Sequence, residues 1–544
     1  MLGPSAHVDT FARDNLPPEE TWPEILLDRP EFQYPERLNA AVELIDAMVG
    51  KGHGLRPAIV SWNESFTYRD LMKASNRIAH VLTNEMGLVP GARVLLRGAN
   101  NPRLVACWAG VLKAGLVAVA TMPLLRAGEL KAIVEKGQVE AALCDRRLAE
   151  DMEACAADSE ILKRVLYFDG SGTGEDDLEG LMARASPQFA PVATGRDDVA
   201  LLGFTSGTTG NPKATMHFHR DILAICDGYA GQVLQPHPED IFIGSPPIAF
   251  TFGLGGLVTF PLRFGASGLL LEDGRPPKLI EAIDRFRPTV VFTAPTAYRA
   301  IAEMVRSEPR RWDLSSLRLC VSAGETLPPA VYDLWMDTVG AQILDGIGST
   351  EMLHIFISNR PETAEPGTTG IPVPGYRAKI VDAAMNDVSV GEPGFLAVQG
   401  PTGCRYLADE RQARYVRDGW NVTGDVMAMD DDGRFSFVAR SDDMIVSSGY
   451  NISGPEVENA LMSHGDVVEC AVIGVPDEER GEIVQAHVVL KEGVDWVDAT
   501  VAALQDHVKA TIAPYKYPRS IVFTDALPKT QTGKIQRFRL REGG

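Results

Sequence analysis

The sequence predicts an α/β protein with two blocks of parallel-type sheet, then a small β-rich unit and a small α+β unit. Three observations carry that prediction. Between residues 67 and about 370, short aliphatic runs alternate with amphipathic helical stretches, the pattern of strands with helices on their faces. From there to about 440, tight-turn signals such as EPG at 392–394 and DDG at 431–433 take the place of helices. After Arg440 the polar stretch SDD at 441–443 leads into a last strand-bearing segment.

Taken in order, residues 1 to about 55 are rich in proline and acidic residues and read as a lead-in draped over the surface. Thr67 with Asp70 forms a capping pattern, and Leu71, Ala74, Ile78 and Leu82 then recur at helical spacing until Gly87. Strands follow at VLL 94–96, GLVAVA 115–120, EAALC 140–144 and RVLYF 164–168. The most apolar run, VACWAGVLKAGLVAVATMPLL at 105–125, is divided by Lys113 and two glycines. It reads as a buried helix followed by a buried strand, not as a membrane span. A second alternating block begins at VALLGF 199–204 and includes TVVFTA 289–294 and RLCVSAGE 318–325. The last segment carries strands ECAVIGV 469–475 and AHVVL 486–490. A boundary at 441–443 divides the chain into domains 1–441 and 442–544.

Composition narrows the partners. In 544 residues, 52 Lys+Arg face 73 Asp+Glu, a formal charge of -21. That excludes a general nucleic-acid face and disfavours an anionic membrane surface. Seven scattered cysteines with no C-x-x-C pair argue against a disulfide framework or a zinc knuckle and for a reducing compartment. The first twenty residues have neither a basic region nor an apolar core, so no signal peptide is read there. The expectation is a soluble, cytoplasmic protein.

FTSGTTGNPK at 204–213 follows an apolar run and precedes a stretch with Phe218, Ile222, Ile225 and Tyr229 at helical spacing. Backbone N–H groups and short hydroxyls in such a loop donate to phosphate oxygens, and glycines let the backbone come close. Lys213 adds a point charge. The Walker spacing is not met, because Gly207 and Gly210 lie too close together and Ala214 follows the lysine. Taken alone, the run fits a phosphate loop or a plain mobile loop. HFHRD at 217–221 fits H-x-x-x-D, but His217 and Asp221 one turn apart are expected to cap or solvate a helix end.

Four stretches together resemble a known superfamily. The glycine-rich run, DGIGSTE at 345–351, WNVTGDV and VARSDD within 420–443, and LPKTQTGKIQRFRLR at 527–541 are similar, in order, to the motifs of the acyl-adenylate-forming enzymes. These comprise acyl-CoA synthetases, adenylation domains and firefly luciferase. The resemblance spans essentially the whole chain. It implies a large N-terminal domain of two α/β subdomains plus a barrel-like unit, hinged to a small C-terminal domain.

It also implies the chemistry: a carboxylate attacks the α-phosphorus of ATP, and a thiol then displaces AMP from the acyl-adenylate. By this resemblance Thr205, Ser206, Gly207, Thr208 and Thr209 would hold the β- and γ-phosphates, with the charge of Lys213 added at the ATP site. Thr350 would touch the α-phosphate, and Glu351 would hold Mg²⁺. Asp425 and Arg440 would serve the ribose, while Ala323, Gly324, Glu325, Asp345, Gly346 and Ile347 would line the adenine. Lys534 would reach the reacting carboxylate, Asp442 would be the hinge, and Ser447, Ser448, Gly449 and Tyr450 would border the CoA arm. Where many members have a lysine after the isoleucine of this last segment, Val446 follows Ile445, so this position supplies no lysine to the second half-reaction.

PPIAFTFGLGG at 246–256 occupies the acyl-pocket position, with Phe250 where many members have histidine and with Thr251 and Phe252 following. Together with His354 in STEMLHIF, this resembles the benzoate-CoA and 2-aminobenzoate-CoA ligases. The implied partners are an aromatic carboxylic acid, ATP with Mg²⁺ and CoA, with no membrane, no nucleic acid beyond the nucleotide, and room for a homodimer. A carrier-protein acceptor and a medium-chain fatty acid are the alternatives.

Overall fold

The computed structural model describes residues 2–170, 173–205, 212–441, 443–447, 450–477, 480–512, 514–529 and 535–542. Two short strands, β1 (Pro57–Val60) and β2 (Ser65–Thr67), come first along the chain but belong to its second sheet. The first sheet contains β3 (Arg93–Arg97), β4 (Val117–Thr121), β5 (Ala141–Asp145), β6 (Arg164–Phe168), β7 (Val199–Thr205) and β8 (Lys213–Phe218), in the order β6-β5-β3-β4-β7-β8. All its pairs are parallel except the hairpin β7–β8.

The second sheet adds β9 (Ile241–Gly244), β10 (Ser267–Leu269), β11 (Val290–Thr293), β12 (Leu319–Ser322), β13 (Ile343–Gly348), β14 (Ile355–Ser358) and β15 (Ile371–Pro372). Its nine strands run β15-β14-β13-β12-β11-β9-β10-β1-β2, parallel in the middle and antiparallel at both ends. A five-stranded antiparallel sheet follows, formed by β16 (Arg377–Val381), β17 (Gly394–Gln399), β18 (Val416–Arg417), β19 (Trp420–Met429) and β20 (Phe435–Arg440). No pair closes it into a barrel among the described residues.

The last sheet holds β21 (Ile445–Ser447), β22 (Tyr450–Ile452), β23 (Val467–Asp477), β24 (Gly481–Leu490) and β25 (Ser520–Phe523). Arg299 of the preceding part of the chain donates to Val467 O at 3.2 Å, and Met462 packs against the core of the second sheet.

Local chemistry explains the helices that matter for position. In α1 (Tyr68–His80), Thr67 accepts from Asp70 N while Asp70 accepts from Thr67 N, so two orphan amides are satisfied at once. In α2 (Pro102–Lys113), Asn101 accepts from Leu104 N at 2.9 Å and Pro102 needs no donor at the first turn. The apolar run at 105–125 is the rest of this helix and β4, both buried. Lys113 is tolerated there because its ammonium meets Asp46 at 2.6 Å and Asn76 at 2.8 Å. Among the described residues no helix is long and apolar enough to cross a membrane, and all seven cysteines are buried and unpaired.

Three expectations need correction. The lead-in is not merely draped: Leu38, Ala40, Ala41, Leu44, Ile45 and Met48 are buried in the main core. VALLGF does not open the second block. It is β7 of the first sheet, because its in-register partners are Ala118 on β4 and the strand that follows it. That strand is the third correction, since Lys213–Phe218 is β8 and the helix, α3 (His219–Ile225), starts only after it. The helical spacing of Ile222 and Ile225 is real, but Phe218 lies at its N-cap and His217 is on the strand.

Asp221 accepts from Phe218 N at 3.0 Å and from Arg405 Nη1 at 2.9 Å. Both members of this ion pair are wholly buried, and the guanidinium lies 4.2 Å from the Phe218 ring centroid and 5.0 Å from that of Trp22. Removing one partner strands a charge in a low-dielectric interior, which costs far more than the pair contributes. Asp221→Ala is therefore expected to destabilise the protein by about 3–5 kcal/mol, read as a lower urea midpoint. A loss under about 1 kcal/mol, the level of an exposed pair, would contradict the buried pair.

Candidate active site

The alternation of side chains along β8 sorts core from site. Ala214, Met216 and Phe218 enter the core of the first sheet, so Lys213, Thr215 and His217 lie on the opposite face. On the far edge of β8 the segment Cys404–Leu407 runs antiparallel, with Met216 N donating to Arg405 O and Leu407 N to Ala214 O, each at 2.8 Å. Leu407 joins the same core, and Tyr406 takes the site face.

Onto this face comes the loop after β13. The His217 Nε2 atom lies 2.8 Å from Thr350 O. A Cβ on Gly203 would stand 2.9 Å from the Thr350 methyl, so only glycine lets the loop settle on β7. Glu351 is buried, and its Oε1 accepts from the Tyr406 hydroxyl at 2.5 Å. Burial, reinforced by the Glu351 carboxylate, holds the Tyr406 phenol far above its usual range. The Tyr415 hydroxyl lies 3.3 Å from Ser349 Oγ, and Lys213 Nζ sits 5.4 Å from the Tyr406 ring centroid.

A second group lies on neighbouring strands. Asp425 on β19 is the register partner of Arg440 on β20, and their ion pair measures 2.7 Å with the carboxylate buried and the guanidinium half exposed. Asp345, Gly346 and Ile347 are on β13 beside Ser322 of β12, whose end leads into Ala323, Gly324 and Glu325. Gly324 has φ 91, the left-handed turn at which glycine costs least. Among the described residues Asp345 Oδ1 has no hydrogen-bond partner, and burial lifts this carboxyl to about 8.

The third group is aromatic. His354, 2% exposed, stacks on Tyr229 at 5.6 Å and meets Phe260 edge-on at 4.5 Å, with Phe252 at 5.7 Å and Phe292 at 6.3 Å. Its Nε2 lies 3.4 Å from Phe252 O, and Nδ1 has no partner among the described residues. Any Cβ on Gly255 would fall 2.2 Å from the imidazole. Burial pushes the imidazole down to about 3, so the ring is neutral. Phe250 is half-buried ahead of the short helical turn Thr251–Leu254 and enters no ring pair among the described residues.

The other expected positions are described only in part. Thr205 ends β7 opposite Lys213, whereas Ser206, Gly207, Thr208, Thr209, Asp442, Ser448, Gly449 and Lys534 lie outside the described residues. Ser447 is buried at the end of β21, its Oγ without a partner among the described residues, and Tyr450 opens β22. His217, expected at a helix end, lies on β8 and touches the Thr350 carbonyl. Tyr229, Tyr406 and Tyr415 carried no motif. The alternation in KATMHF was the available signal for His217, since it leaves Thr215 and His217 opposite three apolar neighbours.

Comparison with known proteins identifies the class that this geometry belongs to. Residues 48–406 match the AMP-binding enzyme family and residues 456–534 match the AMP-binding enzyme C-terminal domain. The chain belongs to the AMP-binding enzymes. Among its relatives is the benzoate-CoA ligase of Thauera aromatica, 36% identical over 94% of this chain and 97% of that protein. A solved structure of an anthranilate CoA ligase in complex with anthranoyl-AMP superposes with TM-score 0.90 at 32% identity, covering 95% of this chain and 99% of the other. A benzoate CoA ligase from Burkholderia xenovorans gives 0.84 at 32% identity, covering 92% and 99%.

The buried imidazoles set a pH dependence. His217, His219 and His354 are held by burial at about 4, 3 and 3, below the ordinary 6.5. Between those values and 6.5 the unfolded chain binds the extra protons, so their contribution to stability falls as pH drops below 6.5. Asp345 acts in the opposite sense, since the folded chain keeps its proton up to about 8 and that contribution is lost as pH rises. His354→Gln is expected to flatten the fall in stability below pH 6.5 by about 1.4 kcal/mol per pH unit. Urea midpoints at several pH values in that range measure it, and an unchanged slope would contradict a neutral His354.

Proposed function

We propose that this chain is an ATP-dependent aryl-CoA ligase that activates benzoate or 2-aminobenzoate as its adenylate and transfers the aroyl group to CoA. The observation that carries the reading is the box of Tyr229, Phe252, Phe260 and Phe292 around a neutral His354. Of these rings only Phe252 is not fully buried, and with the half-buried Phe250 it offers an aromatic face that suits a flat ring through offset and edge contacts. An imidazole held neutral offers that ring a hydrogen bond without the desolvation cost of a buried cation. The named activities of the benzoate and anthranilate ligases support the same substrate class.

Two bond exchanges make up the reaction. A carboxylate oxygen forms a bond to the α-phosphorus while the bond to the β-phosphoryl oxygen breaks and pyrophosphate leaves. The CoA sulfur then bonds to the acyl carbon, AMP departs with the carboxylate oxygen, and the thiol proton goes to solvent. Both steps gather negative charge on oxygens, so the work falls to donors and cations. In this reading Thr205 to Thr209 and Lys213 hold the β- and γ-phosphates, Thr350 meets the α-phosphate, and the Asp425–Arg440 pair takes the ribose hydroxyls. The segments Ala323 to Glu325 and Asp345 to Ile347 line the base.

Glu351 fits a hard divalent ion. It is a buried carboxylate with one oxygen held by Tyr406 and, among the described residues, no hydrogen bond on the other. A divalent ion held there by Glu351 would suit oxygen ligands such as those of the nucleotide phosphates. When bound, magnesium offsets the charge of the triphosphate and of the departing pyrophosphate.

Lys534 is the cation for the first step, and the domain that carries it, 442–544, turns about Asp442 so that Ser447 to Tyr450 border the thiol in the second. A panel of carboxylic acids with ATP, Mg²⁺ and CoA, read by AMP formation, tests the substrate class. Aromatic acids are expected to lead by at least about tenfold in kcat/KM, and a preference for acetate or octanoate would sink the assignment. Lys534→Ala is expected to slow pyrophosphate exchange by about 100-fold or more and to change thioester formation from a supplied aroyl-adenylate far less. An equal loss in both halves would remove the two-orientation reading.

A further inference from the structure

Tyr406 belongs to none of the motifs, yet it joins two groups that the reaction needs. Its hydroxyl donates to Glu351 Oε1 at 2.5 Å, and its ring carries Lys213 Nζ at 5.4 Å from the centroid. The residue is wholly buried. Its backbone is held on two sides: Tyr406 N donates to Gln412 Oε1 at 2.9 Å, and the flanking residues Arg405 and Leu407 bond to β8. The ring meets Tyr415 edge-on at 5.7 Å and 72°, and Tyr415 in turn reaches Ser349. Two tyrosines therefore grip the two ends of Ser349–Glu351, while His217 meets the carbonyl between them.

The terminal torsion of a glutamate is broad and roughly two-fold, so an unrestrained carboxylate presents either oxygen or both. A phenol has one hydrogen to give. Spent on Oε1, it fixes the carboxylate plane and leaves Oε2 as the outward ligand. Lys213 on the ring face adds an electrostatic tie between the start of β8 and the same phenol.

We propose that Tyr406 is a positioning residue that orients Glu351 so that a single oxygen, Oε2, faces the divalent cation of the bound nucleotide. The proposal rests on the reading of Glu351 as the metal ligand. Partners of this kind, one bond removed from the ion, typically change metal affinity by about 10- to 100-fold when lost.

The test uses the full-length protein saturated with the α,β-methylene analogue of ATP and titrated with Mn²⁺, the free ion being read by electron paramagnetic resonance. Tyr406→Phe keeps the ring on Tyr415 and is expected to weaken Mn²⁺ binding about 10- to 100-fold. Glu351→Asp, which draws the carboxylate away from the phenol while keeping its charge, is expected to fall in the same range and serves if the first variant folds poorly. In a Glu351→Gln background, adding Tyr406→Phe is expected to change nothing further, because the group it positions is already gone. Mn²⁺ binding by Tyr406→Phe within twofold of the unaltered protein, with Glu351→Gln weakened, would overturn the role of Tyr406 and leave that of Glu351 standing. Independent, multiplying losses in the double variant would also overturn it, since Tyr406 would then act through the general fold. Unaltered binding by Glu351→Gln would remove the metal-ligand reading and the proposal together.

Discussion

The antiparallel seating of Cys404–Leu407 on β8 is the constraint on which the site depends. It makes β8 an inner strand, with β7 on one edge and this segment on the other, so the two-residue period of three adjacent stretches is set at once. A slip of one residue would send Lys213, His217 and Tyr406 into the core and bring Met216 and Phe218 to the opposite face. The buried Arg405–Asp221 pair pins that register from below, and Tyr406 is its immediate neighbour in the chain. Core packing and site geometry are thus two faces of one set of strand pairings.

Much of the architecture was legible because it rests on local signals. Thr67 with Asp70 announced a helix start, RVLYF matched β6 to the residue, and the divided apolar run at 105–125 became a helix and a strand. What was not legible depends on distant partners. VALLGF looks the same whichever sheet accepts it, and only its pairing with β4, some eighty residues earlier in the chain, decides. KATMHF was read as the approach to a helix because Phe218 happens to fall in step with Ile222 and Ile225. The lead-in looked superficial because its prolines and acidic residues outnumber the few apolar side chains that reach inward.

The site divides in the same way. Thr350, Glu351, Asp425 and Arg440 are candidates through motif order, and the Asp425–Arg440 contact is a direct consequence of their opposing positions on β19 and β20. His354 was expected from the sequence as a pocket residue, but its neutral state follows from the four aromatic rings around it, which are gathered from three separate stretches of the chain. Tyr406 had no local signature, for its importance comes wholly from what lies across from it. Tyrosine in a turn-rich stretch is unremarkable until Glu351 is placed within reach.

The hairpin β1–β2 has a consequence for how the chain is made. It emerges before the whole of the first sheet, but the strand it pairs with, β10, is synthesised roughly two hundred residues later. At about 5–20 residues per second, Ala58 and Ile59 wait on the order of ten to forty seconds at the ribosome without their partner. The first sheet can close during that interval, since β3 to β8 are contiguous, but the second cannot. Order of synthesis therefore makes the first sheet the template, and leaves an apolar strand edge in need of shielding until the nine-stranded sheet is complete.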